Sequence, residues 1–304
     1  MPNHLLLDNR NVLGKQTPPR VSRPDDADKG PDAALQAFQI AASYDALRLR
    51  IYRDNEEQEL RIQIASIGSA TALRFDDVGY FNRVYSHDES INTQLPAIEG
   101  FYRTSSFGCE LIGQPIGPRI DIDPVFRKRG WVLGCKYAWL HGRTPRLAGT
   151  FEAGNYVVRQ PRPEERIDFL LTYLSAFEAQ PERIGAAVRN MRHLFNSPVL
   201  HFLMAFKDGD PAGIGMMYQV GKSAMLCAGA TLPGHRGQGC HAALLDARIR
   251  LAIECGCADI FSWATFSGQS RANMERAGLK TVGITQAWRY RAKRAETGCR
   301  SQEP

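Results

Sequence analysis

Residues 200–231, LHFLMAFKDGDPAGIGMMYQVGKSAMLCAGAT, hold three apolar segments separated by two short turns, DGDP and GKSA. Strand-like segments joined by turns this tight predict an antiparallel meander. The last segment runs straight into TLPGHRGQGCHAALL, residues 231–245. Its first half is crowded with Gly, Pro and Arg. Its second half opens a helix predicted from about Gly237 to Cys255. Cys240, Ala243, Leu244, Ala247 and Leu251 fall on one face of that helix. Asp246, Arg250 and Glu254 ladder along the other at i,i+4. A meander feeding a long amphipathic helix commits this part of the chain to a sheet with a helix laid across it.

The mouth of that helix has its own chemistry. The first turn of a helix carries unpaired N–H groups and the positive end of the dipole. Gly237 and Gly239 let a ligand approach that backbone, and Arg236 adds a fixed charge. Together these describe an anion site. The glycines also have a purely local use, as permission for the turn, and from this stretch alone both readings stand. It is neither a P-loop, lacking GK[ST], nor GxGxxG.

The remaining chain reads as mixed α and β. A Pro-rich charged leader covers residues 1–30. A helix is predicted over Ala33–Tyr52, then strands at RIQIASIG, TALRF and YFNRVYS, a helix at SINTQLPAIEGFYRT, a strand at CELIG, a short helix at DPVFRKRG and a long strand at WVLGCKYAWLHG. The segment RTPRLAGTFEAGN breaks the pattern near residues 146–154. A strand (YVVRQ), two helices (PEERIDFLLTYLSAF and PERIGAAVRNMRHLF) and the meander follow. Beyond the long helix come a strand (ADIFSWAT), a short helix (SGQSRANMERAG) and a last strand (LKTVGITQAWRYR). Residues 293–304 read as a loose polar tail.

Length and composition exclude several classes. A chain of 304 residues with 43% hydrophobic content holds one large or two medium domains. Net charge is +6, with most of the basic excess in residues 151–304. The basic residues do not cluster with interleaved aromatics, and WRYRAKRAETGCR is the one basic run, so no nucleic-acid partner is expected. The seven cysteines (Cys109, Cys135, Cys227, Cys240, Cys255, Cys257 and Cys299) include no CxxC pair or zinc-ligand spacing. They predict reduced thiols, no metal and a cytoplasmic location. There is no signal-peptide pattern and no apolar run long enough to span a membrane, so no membrane partner is expected.

The order strand, strand, strand, Arg-Gly-x-Gly turn, long helix, strand, short helix with Asn, strand resembles the acyl-CoA-binding half of the GNAT acyltransferase superfamily. TLPGHRGQGCHAALL is similar to that family's (V/T)xPxxRGxGxxxxLL motif, and SGQSRANMERAGL to its later S…N…R.GF segment. The resemblance covers about residues 155–291. It implies strands near Ala224–Thr231 and Ala258–Ala264 that splay apart around the pantetheine arm of acetyl-CoA. It implies backbone pairing at Gly229, Ala230 and Thr231. It also implies a pyrophosphate resting on Gly237, Gln238, Gly239, Cys240 and His241 beside Arg236, with Asn273 in support. The segment VFRKRGWVLGCKYAWL resembles the family's last helix and strand, so the first half looks like a degenerate second copy.

The implied fold is α+β: two GNAT-like halves, each a mostly antiparallel twisted sheet flanked by helices. Residues 31–145 form the degenerate half, 146–154 a linker or crossover and 155–292 the acyl-CoA-binding half, as a monomer or homodimer. The implied activity is N-acetyl transfer from acetyl-CoA to a small-molecule or amino-acid-like amine, through direct attack on the thioester. The chain departs from the family at three positions. No Asp or Glu occurs from Pro211 to Leu245, where a base is usual. Met274 stands where a Tyr acid is usual, and His241 where Gly or Ala is usual. Tyr218 and Ser270 are the fallback catalytic candidates, beside a strand-packing role for Tyr218 and a helix-capping role for Ser270. Asn82 and Arg83 are candidates to bond a substrate or a loop backbone. The alternative function is a non-catalytic acyl-CoA-binding regulatory module.

Overall fold

The computed structural model describes residues 30–55, 61–88, 90–115, 123–147 and 155–291. The expected leader and tail, and residues 148–154 of the expected linker, lie outside the described residues. In chain order the elements are α1 (Gly30–Asn55), β1 (Ile62–Ile67), β2 (Ala70–Phe75), β3 (Arg83–Ser86), α2 (Ile91–Tyr102), β4 (Cys109–Gly113), α3 (Asp123–Lys128) and β5 (Val132–Arg143). There follow α4 (Thr144–Leu147), β6 (Val157–Arg159), α5 (Arg166–Ala176), α6 (Pro181–Met191), β7 (Leu200–Lys207), β8 (Asp210–Val220), β9 (Ser223–Thr231), α7 (Cys240–Glu254), β10 (Asp259–Thr265), α8 (Gln269–Arg276) and β11 (Lys280–Tyr290). The expected linker begins inside α4, whose Leu147 is buried against Gly142 and Gly278.

The two expected sheets are one. Eleven strands run in the order β1-β2-β3-β4-β11-β5-β10-β9-β8-β7-β6. Most neighbours are antiparallel, and the two parallel pairs are β3 with β4 and β9 with β10. Each parallel pair is joined by a crossover helix, α2 and α7 respectively. The strand orders β1-β2-β3-β4 and β7-β8-β9-β10 therefore repeat one pattern from opposite ends of the sheet. At the centre the halves trade strands. The last strand, β11, sits between β4 and β5, and β5 pairs with β10 from Asp259↔Arg143 to Thr265↔Tyr137.

Alternation along the strands supplies one core to each face of the sheet. Tyr137, Trp139, Met225, Cys227, Phe261 and Ala287 point to the face covered by α1, α5 and α6. Ala138, Leu140, Leu226 and Ile260 point to the face covered by α7 and α8, while Leu111 and Trp288 meet α2 and α3 there. Helix α1 is buried on several sides because it crosses the sheet over both halves. Ala34, Phe38, Ala41, Asp45, Arg48 and Tyr52 follow each other at steps of three or four, and all are buried. Two members of that row are charged, and the site explains them.

Candidate active site

The site begins where β9 and β10 part. Their parallel pairing runs from Asp259↔Ser223 to Ser262↔Leu226 and stops there. A bulge in β9 lies just beyond: Cys227 pairs with Met216 and Ala230 with Ile214, leaving Ala228 and Gly229 against Gly215. Ala228 has a positive φ of 46°, uncommon for a residue with a side chain. Ser262 Oγ donates to the Leu226 carbonyl at 2.8 Å and closes the apex of the gap.

A cavity of about 620 Å³ occupies this gap and runs through the sheet. On the α7 and α8 side it is lined by His241, Arg248, Ser270 and Met274. On the α1 side it is lined by residues of both halves, among them Tyr44, Arg48, Arg83, Tyr173 and Trp263. No Asp or Glu lines it among the described residues.

Arg248 stands at the waist of the cavity. It is 3% exposed, and its Nε and Nη1 donate to the Leu244 and Cys227 carbonyls at 3.1 and 3.2 Å. Gly215 and Gly229 make the room for it, because a Cβ on either would stand 2.9 and 2.7 Å from the guanidinium. Burial pushes its pKa down to about 10, so it remains a cation at neutral pH. No ion pair reaches it among the described residues. Sequence reasoning missed Arg248. Its signal was an arginine in the row Cys240, Leu244, Arg248, on the face otherwise assigned to the core.

His241 lines the same side. Asn273 Nδ2 donates to its Nδ1 at 3.1 Å, and the Asn273 carbonyl oxygen is taken by Gln269 at 2.9 Å and by Arg276. That orientation of Asn273 assigns the ring proton to Nε2. Burial, then Arg248 and Arg276, push the His241 pKa down to about 4. At neutral pH the ring is an uncharged hydrogen-bond donor and a weak base. Asn273 itself does not line the cavity and touches a lining residue through this bond to His241.

The turn before α7 has the backbone of an anion cradle. Gly237 and Gly239 have φ of +75° and +88°, and Gly239 is the N-cap of α7. The Ala243 N–H is bonded to the Gly239 carbonyl, so the open donors of the first turn are those of Cys240, His241 and Ala242. The Cys240 side chain itself is buried in the core with Ala243 and Leu244. Gln238 accepts from Lys207 Nζ at 2.9 Å and donates to the Gly234 carbonyl at 2.8 Å. Arg236 turns away from this backbone. Its guanidinium bonds Glu178 and the Ala176 carbonyl, each at 3.2 Å, and so clips the turn to the end of α5.

The other sequence candidates fall as follows. Gly229 lines the cavity, whereas Ala230 and Thr231 continue β9 in pairs with Ile214 and Gly213. Ser270 lines the cavity from α8. Tyr218 lies outside the lining, packed on Tyr44 at 5.7 Å with its hydroxyl 3.4 Å from Ser43 Oγ. Asn82 serves the backbone, accepting from Phe75 N–H at 2.7 Å and donating to the Gly108 carbonyl at 3.0 Å. Arg83 lines the cavity and is paired with Asp45 at 2.7 Å. Cys227 lines it as well, with its thiol pushed up to about 11 by burial, which leaves it protonated. No group of three or more His, Cys, Asp or Glu could hold a metal ion among the described residues. No described helix is long and apolar enough to cross a membrane.

Residues 167–278 match the model of the acetyltransferase (GNAT) family. A search of curated protein sequences finds no match. Among solved structures, a GCN5-related N-acetyltransferase from Sphaerobacter thermophilus superposes with a TM-score of 0.57 at 14% identity, covering 87% of this chain and 93% of that one. A tandem GNAT protein from the clavulanic acid biosynthesis pathway gives 0.54 at 12% identity, covering 88% and 96%. A GCN5-related N-acetyltransferase from Kribbella flavida gives 0.53 at 16% identity, covering 82% and 95%. At these identities the likeness is one of fold, and it extends over both halves of the chain. Residues 167–278 are therefore a GNAT-type acetyltransferase segment by sequence, set in a chain whose fold matches such proteins over both halves.

Proposed function

We propose that the chain is an N-acyltransferase that moves the acetyl group of acetyl-CoA onto the amine of a small-molecule or amino-acid-like acceptor. The observation that carries this is the cavity through the sheet. It opens toward the α7 mouth on one face and reaches the α1 chamber on the other, so donor and acceptor meet at the β9–β10 gap. The residues present suit the donor: an open helix mouth with two positive-φ glycines, and a strand edge freed beyond Leu226. Acetyl-CoA supplies an activated acyl carbon.

Holding both substrates at one gap supplies much of the rate, by removing the entropy of their encounter. Arg248, pointing at Gly229, is placed to stabilise negative charge that develops on the thioester oxygen. Arg48 and Arg248 make the cavity hostile to an ammonium ion and favour the neutral, nucleophilic amine. The nitrogen–carbon bond forms as the carbon–sulfur bond breaks. The surplus proton of the nitrogen ends on the departing sulfur, by way of Ser270 or solvent. The first half, with its repeated strand order but no Arg-Gly-x-Gly turn before α2, acts as a degenerate copy that walls the acceptor chamber.

Two measurements test this. Calorimetry reads saturable binding of acetyl-CoA, and a thiol assay reads CoA release across a panel of primary amines. A chain that fails to bind acetyl-CoA overturns the proposal. The second reading, an acyl-CoA-binding module without catalysis, is favoured by the lack of a carboxylate base in the lining. Thiol release with any amine overturns that reading.

A further inference from the structure

The α1 chamber holds more positive than negative charge among the described residues. Asp45 is the carboxylate beside it, and one of its oxygens, Oδ2, is taken twice: by Arg83 Nη1 at 2.7 Å and by the Tyr85 hydroxyl at 2.7 Å. The ion pair left to Arg48 is long, 3.9 Å from Nη1 to Asp45 Oδ1, and its other polar neighbours are the uncharged hydroxyls of Tyr173 and Tyr52. It is 3% exposed and lies among rings, 4.6 Å from the centre of Phe81 and 5.1 Å from that of Tyr44. Its Nε and the neighbouring Tyr52 hydroxyl have no hydrogen-bond acceptor within geometric reach among the described residues. Two guanidiniums therefore face one carboxylate, at the wall of a cavity with no acidic lining residue.

Buried arginines are rare unless paired, and a buried guanidinium that shares its only carboxylate with another is costly to keep. A cavity wall is where such a charge is retained for a ligand. On the α1 side, apart from Arg248 at the waist, the surplus is one positive charge, which matches a monoanion. A guanidinium fork beside a hydroxyl matches the two oxygens of a carboxylate. The rings around Arg48 offer an apolar or aromatic body its packing surface.

We infer that the acceptor is an amino-carboxylate, with its carboxylate seated on Arg48 and Tyr52 and its amine directed to the β9–β10 gap. This rests on the proposed transfer reaction and adds the class of acceptor and its anchor. Arg48 belongs to the first half of the chain, so that half selects the acceptor while the second half holds the donor.

The test uses the full chain and matched probes. N-acetylphenylalanine and its neutral amide, N-acetylphenylalaninamide, are titrated calorimetrically in the presence of CoA. Phenylalanine and phenethylamine are compared in the thiol-release assay with acetyl-CoA. A charge-assisted bidentate contact predicts that the carboxylate probe binds about 10- to 100-fold tighter than the amide. Arg48→Met should abolish that preference, Arg48→Lys retain part of it, and Tyr52→Phe, which keeps the ring, narrow it. Acetyl-CoA affinity should be the same in all variants. Equal affinity of acid and amide, no binding by either, or a preference that survives Arg48→Met overturns the inference. Loss of acetyl-CoA binding by the unaltered chain would instead overturn the transfer reaction itself.

Discussion

Arg248 is charged, buried and held only by carbonyl oxygens, with two glycines cleared around it. As the donor aimed at the gap, it predicts that Arg248→Met lowers kcat by about 10²- to 10³-fold, as loss of an oxyanion donor does, with a smaller change in acetyl-CoA affinity. Steady-state kinetics beside calorimetry separates the two effects. Gly215→Ala tests the same residue from behind. The new Cβ would stand 2.9 Å from Nε, so the guanidinium must shift, and kcat should fall although Gly215 does not line the cavity. His241 predicts a pH effect. The folded state resists protonating this ring until about pH 4, whereas an unfolded histidine protonates near 6.5. Its contribution is neutral above 6.5 and becomes a loss of stability as pH falls from there toward 4. The stability of His241→Asn relative to the parent should therefore rise over that window, read from urea midpoints at pH 7.5, 5.5 and 4.5. The oddity of His241 was legible in the sequence. Arg48 and Arg248 were not, because what makes them unusual is a shortage of counter-charge in space, and their surroundings come from segments far apart in the chain.

The element scale turns on the mouth of α7. Its two glycines were legible, and their positive φ shows why side chains are excluded there. A left-handed conformation costs an ordinary residue about 1–2 kcal/mol. Gly239→Ala should lower stability by about that much, and should weaken acetyl-CoA binding by misaiming the first-turn N–H groups. Thermal unfolding with and without acetyl-CoA reads both: the ligand-induced rise in Tm should shrink along with the Tm itself. Arg236 was read as part of the same mouth, from its place in the motif. The bonds to Glu178 and Ala176 give it a second occupation, since α5 approaches the turn only in the folded chain. The order of strands and helices followed from periodicity and turn residues, with small differences of extent. The expected strand YFNRVYS shortens to β3, preceded by a 3₁₀ turn at Gly79–Phe81, because the Asn82 side chain takes the Phe75 N–H and the Gly108 carbonyl. Local pattern carries no trace of such a bond.

At the scale of the whole molecule, the strand exchange at the centre decides how the chain comes apart. The sequence showed two halves and a break near residues 146–154, and from that alone two sheets were the natural expectation. Strand pairing across the break is set by register and by buried partners, which no local pattern encodes. Trp139 illustrates it: the ring is fully buried, and its Nε1 donates to Thr285 Oγ1 at 2.8 Å across 146 positions of sequence. With β11 between β4 and β5, neither half has a complete sheet by itself. A half cut free would expose the long edge of β5 or β10 and the apolar face around it, which invites aggregation. The two halves should therefore unfold together. A protease site placed within residues 148–154 tests this. After cleavage the fragments should co-elute by size exclusion, separate only in denaturant, and melt in one transition. Fragment 155–304 expressed alone should be insoluble, and should be recovered by co-expression with fragment 1–147. Two separate melting transitions in the nicked protein, or a soluble and well-folded 155–304, would mean that the central strands contribute little to joining the halves. The same exchange leaves α1 packed against strands of both halves, β9 and β10 among them, so folding as one unit and completion of the α1 chamber should be one event in this chain.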